Sequence, residues 1–217
     1  MSREANDTAM IEKGRLMAIT DGIVAIAATI MVLQLKVPDQ VSMAAVKEQW
    51  PTFLAYIISF IQIFMAWHEH HDSFAFAERI NHRIFLVNCL WLFFITMLPL
   101  TTGIIGESPR HMPSILLYIA MLLLVQMTIT IESHMIRKLN GTPILDEEVI
   151  RKIRVISFAG YIIAAVSTMI KPVSGLVIIL ILSAAEIFMV CAFDRKIDSS
   201  VLTEEELYDQ IKSKIKK

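Results

Sequence analysis

Three carboxylates, Asp21, Glu132 and Glu186, lie within stretches of otherwise mostly apolar side chains. An ionised acid inside a bilayer is expensive, so each should have a partner or serve as a proton relay or part of an ion path. Asp21 is the only ionisable residue between 16 and 35 and follows Arg15 by six positions. On a helix that spacing puts the two on different faces, so each should pair with a group on another helix. A second chemistry-bearing run is Trp67-His68-Glu69-His70-His71-Asp72. Histidine titrates near neutral pH and ligates metals. His68, His71 and Asp72 have the spacing to hold a divalent ion, yet position 72 breaks the His-Glu-x-x-His pattern, and no metal site is expected. Thr20, Arg83 and Asn88 fall at similar depth. The cluster reads as a buried hydrogen-bond network that locks helices together, with pH sensing as the sharper alternative. Glu132 is near enough to His134 and Arg137 to be interfacial, which leaves Glu186 as the deeper acid.

These side chains must be positioned by spanning helices. The 217 residues are 55% hydrophobic, mean hydropathy is +0.60, and the apolar residues arrive in six blocks: 16–35, 51–67, 84–106, 113–131, 154–170 and 173–193. About 20 apolar residues cross a ~30 Å hydrocarbon layer as a helix. The fold class is therefore all-α, a polytopic membrane protein of six transmembrane helices. Polar residues 1–13 and the length of the first block argue against a cleaved signal, so the first span should be retained. Cys89 and Cys191 lie inside spans and read as small core residues.

Sixteen of the 20 Lys and Arg residues fall on one side of such a topology, while Lys36, Lys47, Arg110 and Lys171 fall on the other. The positive-inside rule then puts both termini in the cytoplasm, and an even helix count agrees. Trp50-Pro51 suits the start of the second span. The third and fourth spans, and the fifth and sixth, are linked closely enough to form tight hairpins. Asn140-Gly141-Thr142-Pro143 marks a turn after the fourth span, and Asp146-Glu147-Glu148 opens an amphipathic lead into the fifth. Residues 1–198 form the membrane domain. Residues 199–217, with Thr203-x-x-Glu206 as a capping box and Leu207, Ile211 and Ile215 on one face, predict a short amphipathic tail helix.

The first span carries two stripes. Ala18, Gly22, Ala25 and Thr29 are small and would let a neighbouring helix approach closely. Ile19, Ile23, Ile26, Ile30 and Leu33 are branched and could face lipid, pack on a helix, or line a hydrophobic constriction. Periodicity leaves these open. No internal duplication appears, so a symmetric pore would need several subunits. Walker, nucleophile-elbow and voltage-sensor patterns are absent, and the chain does not read as an enzyme.

Arg15-x-x-x-Ile19-Thr20-Asp21 resembles the Arg-x-x-x-Phe-Ser-Asp signature opening the first helix of prokaryotic transmembrane protein 175 channels, with Ile for Phe and Thr for Ser as departures. The segment from Gly22 to Pro38 follows the family's helix-one pattern. Trp67-His68-Glu69-His70-His71-x-x-Phe74 is similar to the end of its second helix, and Leu98-Pro99-Leu100-Thr101-Thr102 to the end of its third. The resemblance implies a homo-oligomeric, leak-type potassium channel, a tetramer with four first helices around the axis, in a prokaryotic plasma membrane. Carried over residue by residue, it implies that Ile26 forms the main constriction, Ile30 and Leu33 the layers outward of it, and Thr29 a hydroxyl beside it. Arg15, Thr20, Asp21, Trp67, His68, His70, His71 and Asn88 would be the signature and its polar network. No cofactor beyond permeant K+ is implied, and the partners are other copies, the bilayer and monovalent cations, with no nucleic acid. A proton-conducting or proton-coupled carrier, using Asp21, the histidines and Glu186, is the alternative.

Overall fold

The computed structural model describes residues 12–35, 42–75, 77–141 and 147–192. Helix α1 spans Lys13–Ile30 and tightens into a 3-10 segment, Met31–Gln34. It is followed by a short α2, Met43–Glu48, α3, Trp50–Ala75, α4, His82–Glu107, α5, Met112–Asn140, α6, Glu147–Ile170, and α7, Pro172–Ala192. Among the described residues there is no strand. Six of the helices, all but α2, are long and apolar enough to cross a membrane. At 1.5 Å per α-helical and 2.0 Å per 3-10 residue, α1 with its extension covers about 35 Å, enough for a bilayer core.

Several helices outrun the blocks that hydropathy marks. The third helix, α3, continues eight residues past Trp67, so the His run is helical and docked rather than at a helix end. The fifth, α5, extends to Asn140, where Gly141 takes the left-handed conformation (φ 66°) expected of a helix-terminating glycine. Asn140 also closes the α3–α4 connection: its Oδ1 accepts from the Glu78 and Arg79 amides at 2.9 and 2.7 Å. Asn81 caps α4 by accepting from the Ile84 amide at 3.0 Å. Pro99 lies within α4 rather than at its end, and the Thr101 and Thr102 hydroxyls donate back to the Leu98 carbonyl near this break. The helix α2 falls in a stretch read from sequence as a plain connection.

Helices α4 and α5 pack most extensively, α3 lies against both, and α6 joins through α5. Trp91, Tyr118, Tyr161, Ile58, Ile63, Ile95 and Leu98 are buried at the centre. A smaller cluster of Leu16, Phe74, Ala77, Ile80, Ile84 and Ile136 seals the end of the bundle where α1 begins. In a bilayer, close packing and buried polar bonds replace the hydrophobic drive between helices. Gly175 shows the first: a Cβ there would stand 2.0 Å from Thr168 Oγ1 and 3.0 Å from the Ala164 carbonyl oxygen. The tight α6–α7 hairpin needs a residue with no side chain at that point. The two cysteines are free and lie on exposed faces of their helices, not in the core. The tail 199–217 lies outside the described residues.

Candidate functional site

One face of α1 is fastened to the rest of the chain and the opposite face is uncovered. Leu16, Thr20, Val24, Ala27, Ala28 and Met31 are buried, largely against α4 and α3. Ile19, Ile26, Ile30 and Leu33 are exposed, Ile26 by 58% and Leu33 by 74%, whereas Ile23 is half-buried against the core. Ala18, Gly22, Ala25 and Thr29 are exposed as well. Among the described residues the small stripe is therefore not covered by a neighbouring helix, as close helix packing had suggested, and a Cβ added at Gly22 would meet nothing within 4 Å. The Thr29 hydroxyl donates within α1, to the Ala25 and Ile26 carbonyls at 3.0 and 2.9 Å. Because the helix tightens after Ile30, Leu33 lies almost directly over Ile30 along the axis, three residues per turn instead of 3.6.

The fastening is polar. Trp67 Nε1 on α3 donates to Asp21 Oδ1 at 2.8 Å. Thr20 Oγ1 donates to Asn88 Oδ1 on α4 at 3.2 Å, and Asn88 Nδ2 donates to His70 Nε2 at 2.8 Å. Thr20, His70 and Asn88 are all buried. Asp21 thus pairs across helices as expected, but Arg15 does not: it is exposed and has no hydrogen-bond or ion-pair partner among the described residues. Arg83 is likewise exposed. The histidines divide. His70 is interior, whereas His68 and His71 are partly exposed and lie 3.4 and 3.8 Å from Asp72, with His71 against the Trp67 ring at 5.5 Å between centroids. Three histidines within four helical positions point in different directions, and only His70 finds the core.

Both remaining acids are buried. Glu132 is fully buried among the helices, where α5 continues two turns past it and packs on α3 and α4. Glu186 is bonded on both oxygens: Ser157 Oγ donates to Oε1 at 2.5 Å, and Gln62 Nε2 to Oε2 at 2.9 Å. Gln62 also accepts from Tyr161 OH at 2.6 Å, tying α3, α6 and α7 together. Arg154 Nη2 pairs with Glu69 Oε1 at 2.5 Å and joins α6 to α3. Sequence reading missed Gln62, Ser157, Tyr161 and the Glu69–Arg154 pair, since the partner of each lies on another helix.

Six apolar helices around a polar network define a multi-pass integral membrane protein. Residues 15–99 match the family described as "Endosomal/lysosomal potassium channel TMEM175". A potassium channel of Chryseobacterium sp. (strain P1-3) is 45% identical over 96 residues, covering 44% of this chain and 50% of the relative. An endosomal/lysosomal proton channel TMEM175 of Danio rerio is 33% identical over 112 residues, covering 46% of this chain and 22% of the relative. In the crystal structure of a lysosomal potassium-selective channel TMEM175 homolog from Chamaesiphon minutus, the fold recurs with TM-score 0.68 and 24% identity, over 81% of this chain and 96% of that one. Over residues 15–99, then, the chain resembles the TMEM175 family, and the solved structure shares its fold. The match spans about half the length of the bacterial relative.

Proposed function

We propose that this chain is the subunit of a potassium-selective leak channel, not an enzyme, in which α1 from each of four copies lines a central pore. The observation that carries this is the two-sided α1: one face is pinned by Thr20–Asn88 and Trp67–Asp21, while the other presents Ile26, Ile30, Leu33 and a lane of small residues that its own subunit leaves uncovered. A lane of Ala18, Gly22, Ala25 and Thr29 lets a second backbone come close, which suits helices converging on an axis. Ile26 then forms the narrowest ring, Ile30 and Leu33 the layers beyond it, and Thr29 a hydroxyl beside the ring. An apolar ring discriminates by dehydration cost, which is lower for potassium than for sodium, and closes by dewetting. The names of the bacterial relatives support the same ion. Both acids of the carrier alternative have structural explanations here, Asp21 through Trp67 and Glu186 through Ser157 and Gln62. The basic excess of the loops supports a plasma-membrane orientation with both termini cytoplasmic.

Purified protein in bilayers, under a potassium gradient with sodium and proton controls, tests the reading. Ile26→Asn should hydrate the ring and raise sodium permeation relative to potassium, by about tenfold if ~1.4 kcal/mol of discrimination resides there. Ile23→Asn, on the half-buried side, should instead impair folding without altering selectivity. Equal, unselective effects at both positions, or an unchanged reversal potential for well-assembled Ile26→Asn, would refute the pore assignment.

A further inference from the structure

His70 and Glu132 face each other in the subunit interior, and the ion path uses neither. His70 is 1% exposed and Glu132 0%. The imidazole stacks with both Trp91 and Phe74, with ring centroids 4.8 and 4.4 Å away. His70 Nε2 stands 3.9 Å from Glu132 Oε2. That nitrogen already accepts from the Asn88 amide, which places the ring proton on Nδ1. His70 Nδ1 and both Glu132 oxygens have no hydrogen-bond partner. A carboxylate anion buried without a donor is among the costliest groups a protein can hold, and the neutral acid is far cheaper.

The surrounding charges do not relieve it. Helix α1 contributes Asp21 and α3 contributes His71, both acting on His70, while Glu69 on α3 acts on Glu132. The Arg154 cation on α6 is engaged by Glu69. From α4 the group that reaches the pair is the uncharged Asn88. No described cation is bonded to Glu132.

From this geometry we propose that Glu132 and His70 form a proton-binding site inside the bundle, and that loss of its proton is passed to α1 through Asn88 and Thr20. The route is two bonds long. Asn88 holds His70 with its amide nitrogen and Thr20 with its carbonyl oxygen. When Glu132 gives up its proton, the new anion draws the Asn88 amide, the adjacent neutral donor. Turning that amide moves the carbonyl that fastens Thr20, next to Asp21 on α1. The proposal concerns a proton site inside one subunit and does not depend on which ion the assembly conducts.

The test is an infrared titration of the full-length protein in lipid vesicles, from neutral to alkaline pH, with amide hydrogen exchange measured on the same samples. A protonated-carboxyl stretch should be present at neutral pH, disappear on titration, and be missing throughout in Glu132→Gln. Glu132→Asp, which keeps an acid one methylene shorter, should move the frequency and midpoint of that band, so the site stays testable if the Gln variant folds poorly. In the unsubstituted protein, residues 18–24 should exchange about tenfold faster after proton loss, corrected for intrinsic rates, as expected for local opening. Thr20→Val should abolish that response. A band that persists in Glu132→Gln, a spectrum unchanged in Glu132→Asp, or an α1 response unaffected by Thr20→Val would overturn the proposal.

Discussion

The Thr20–Asn88 bond offers a direct measurement of how firmly α1 is held, by a cycle of Thr20→Val, Asn88→Leu and the double variant. Thr20→Val keeps the side chain's shape and deletes one donor, leaving Asn88 Oδ1 unpaired in a fully buried position. An orphaned buried polar group costs roughly 1–3 kcal/mol, while hydrogen bonds between membrane helices average nearer ~0.6 kcal/mol, so about 1 kcal/mol is expected. Asn88→Leu strands two groups, the Thr20 hydroxyl and His70 Nε2, and should cost about twice as much, roughly 2–3 kcal/mol. Once Asn88→Leu is in place, Thr20→Val removes a hydroxyl that has already lost its partner, so the second substitution should cost close to nothing. The coupling energy is then about 1 kcal/mol, well above the ~0.3–0.5 kcal/mol scatter of independent sites. Reversible denaturation in mixed micelles, followed by tryptophan fluorescence, measures all four corners. If Thr20→Val costs the same with and without Asn88→Leu, Asn88 does not hold α1, and the fastened face described above is wrong.

Two further outcomes follow from the packing of the other helices. Glu186→Gln retains the shape and an acceptor for Ser157 while removing titration; potassium flux and its pH dependence should stay nearly unchanged in liposomes, and a large loss of proton-coupled uptake in folded protein would favour the carrier instead. Gly175→Ala drives a methyl into Thr168 Oγ1 and against the Ala164 carbonyl, so it should lower stability by about 1–3 kcal/mol. Adding Thr168→Ala should recover part of that loss in the same denaturation assay, and no recovery would place the strain elsewhere.

The features that depend on the solvent were readable from the residues alone. Twenty-residue apolar blocks have one low-energy arrangement in hydrocarbon, because every backbone amide must bond within its own segment; six spans were therefore legible from hydropathy, and Gly141 and Trp50-Pro51 were legible as boundaries from backbone preference. Asp21 could also be recognised as a residue needing a partner. Which partner, and which face of each helix turned inward, came from helix packing. Periodicity could not tell the buried Leu16–Thr20–Val24 face of α1 from its exposed Ile26–Ile30 face, since both are apolar and lipid rewards either equally. For the same reason Cys89 and Cys191 read as core and lie outside. Glu132 read as interfacial from its closeness to His134 and Arg137, and that reading gave no sign that the acid is buried among the helices beside His70. Contacts across helices, 46 residues apart for Asp21–Trp67 and 68 for Thr20–Asn88, leave no periodic trace in the chain; they exist only once the helices have packed.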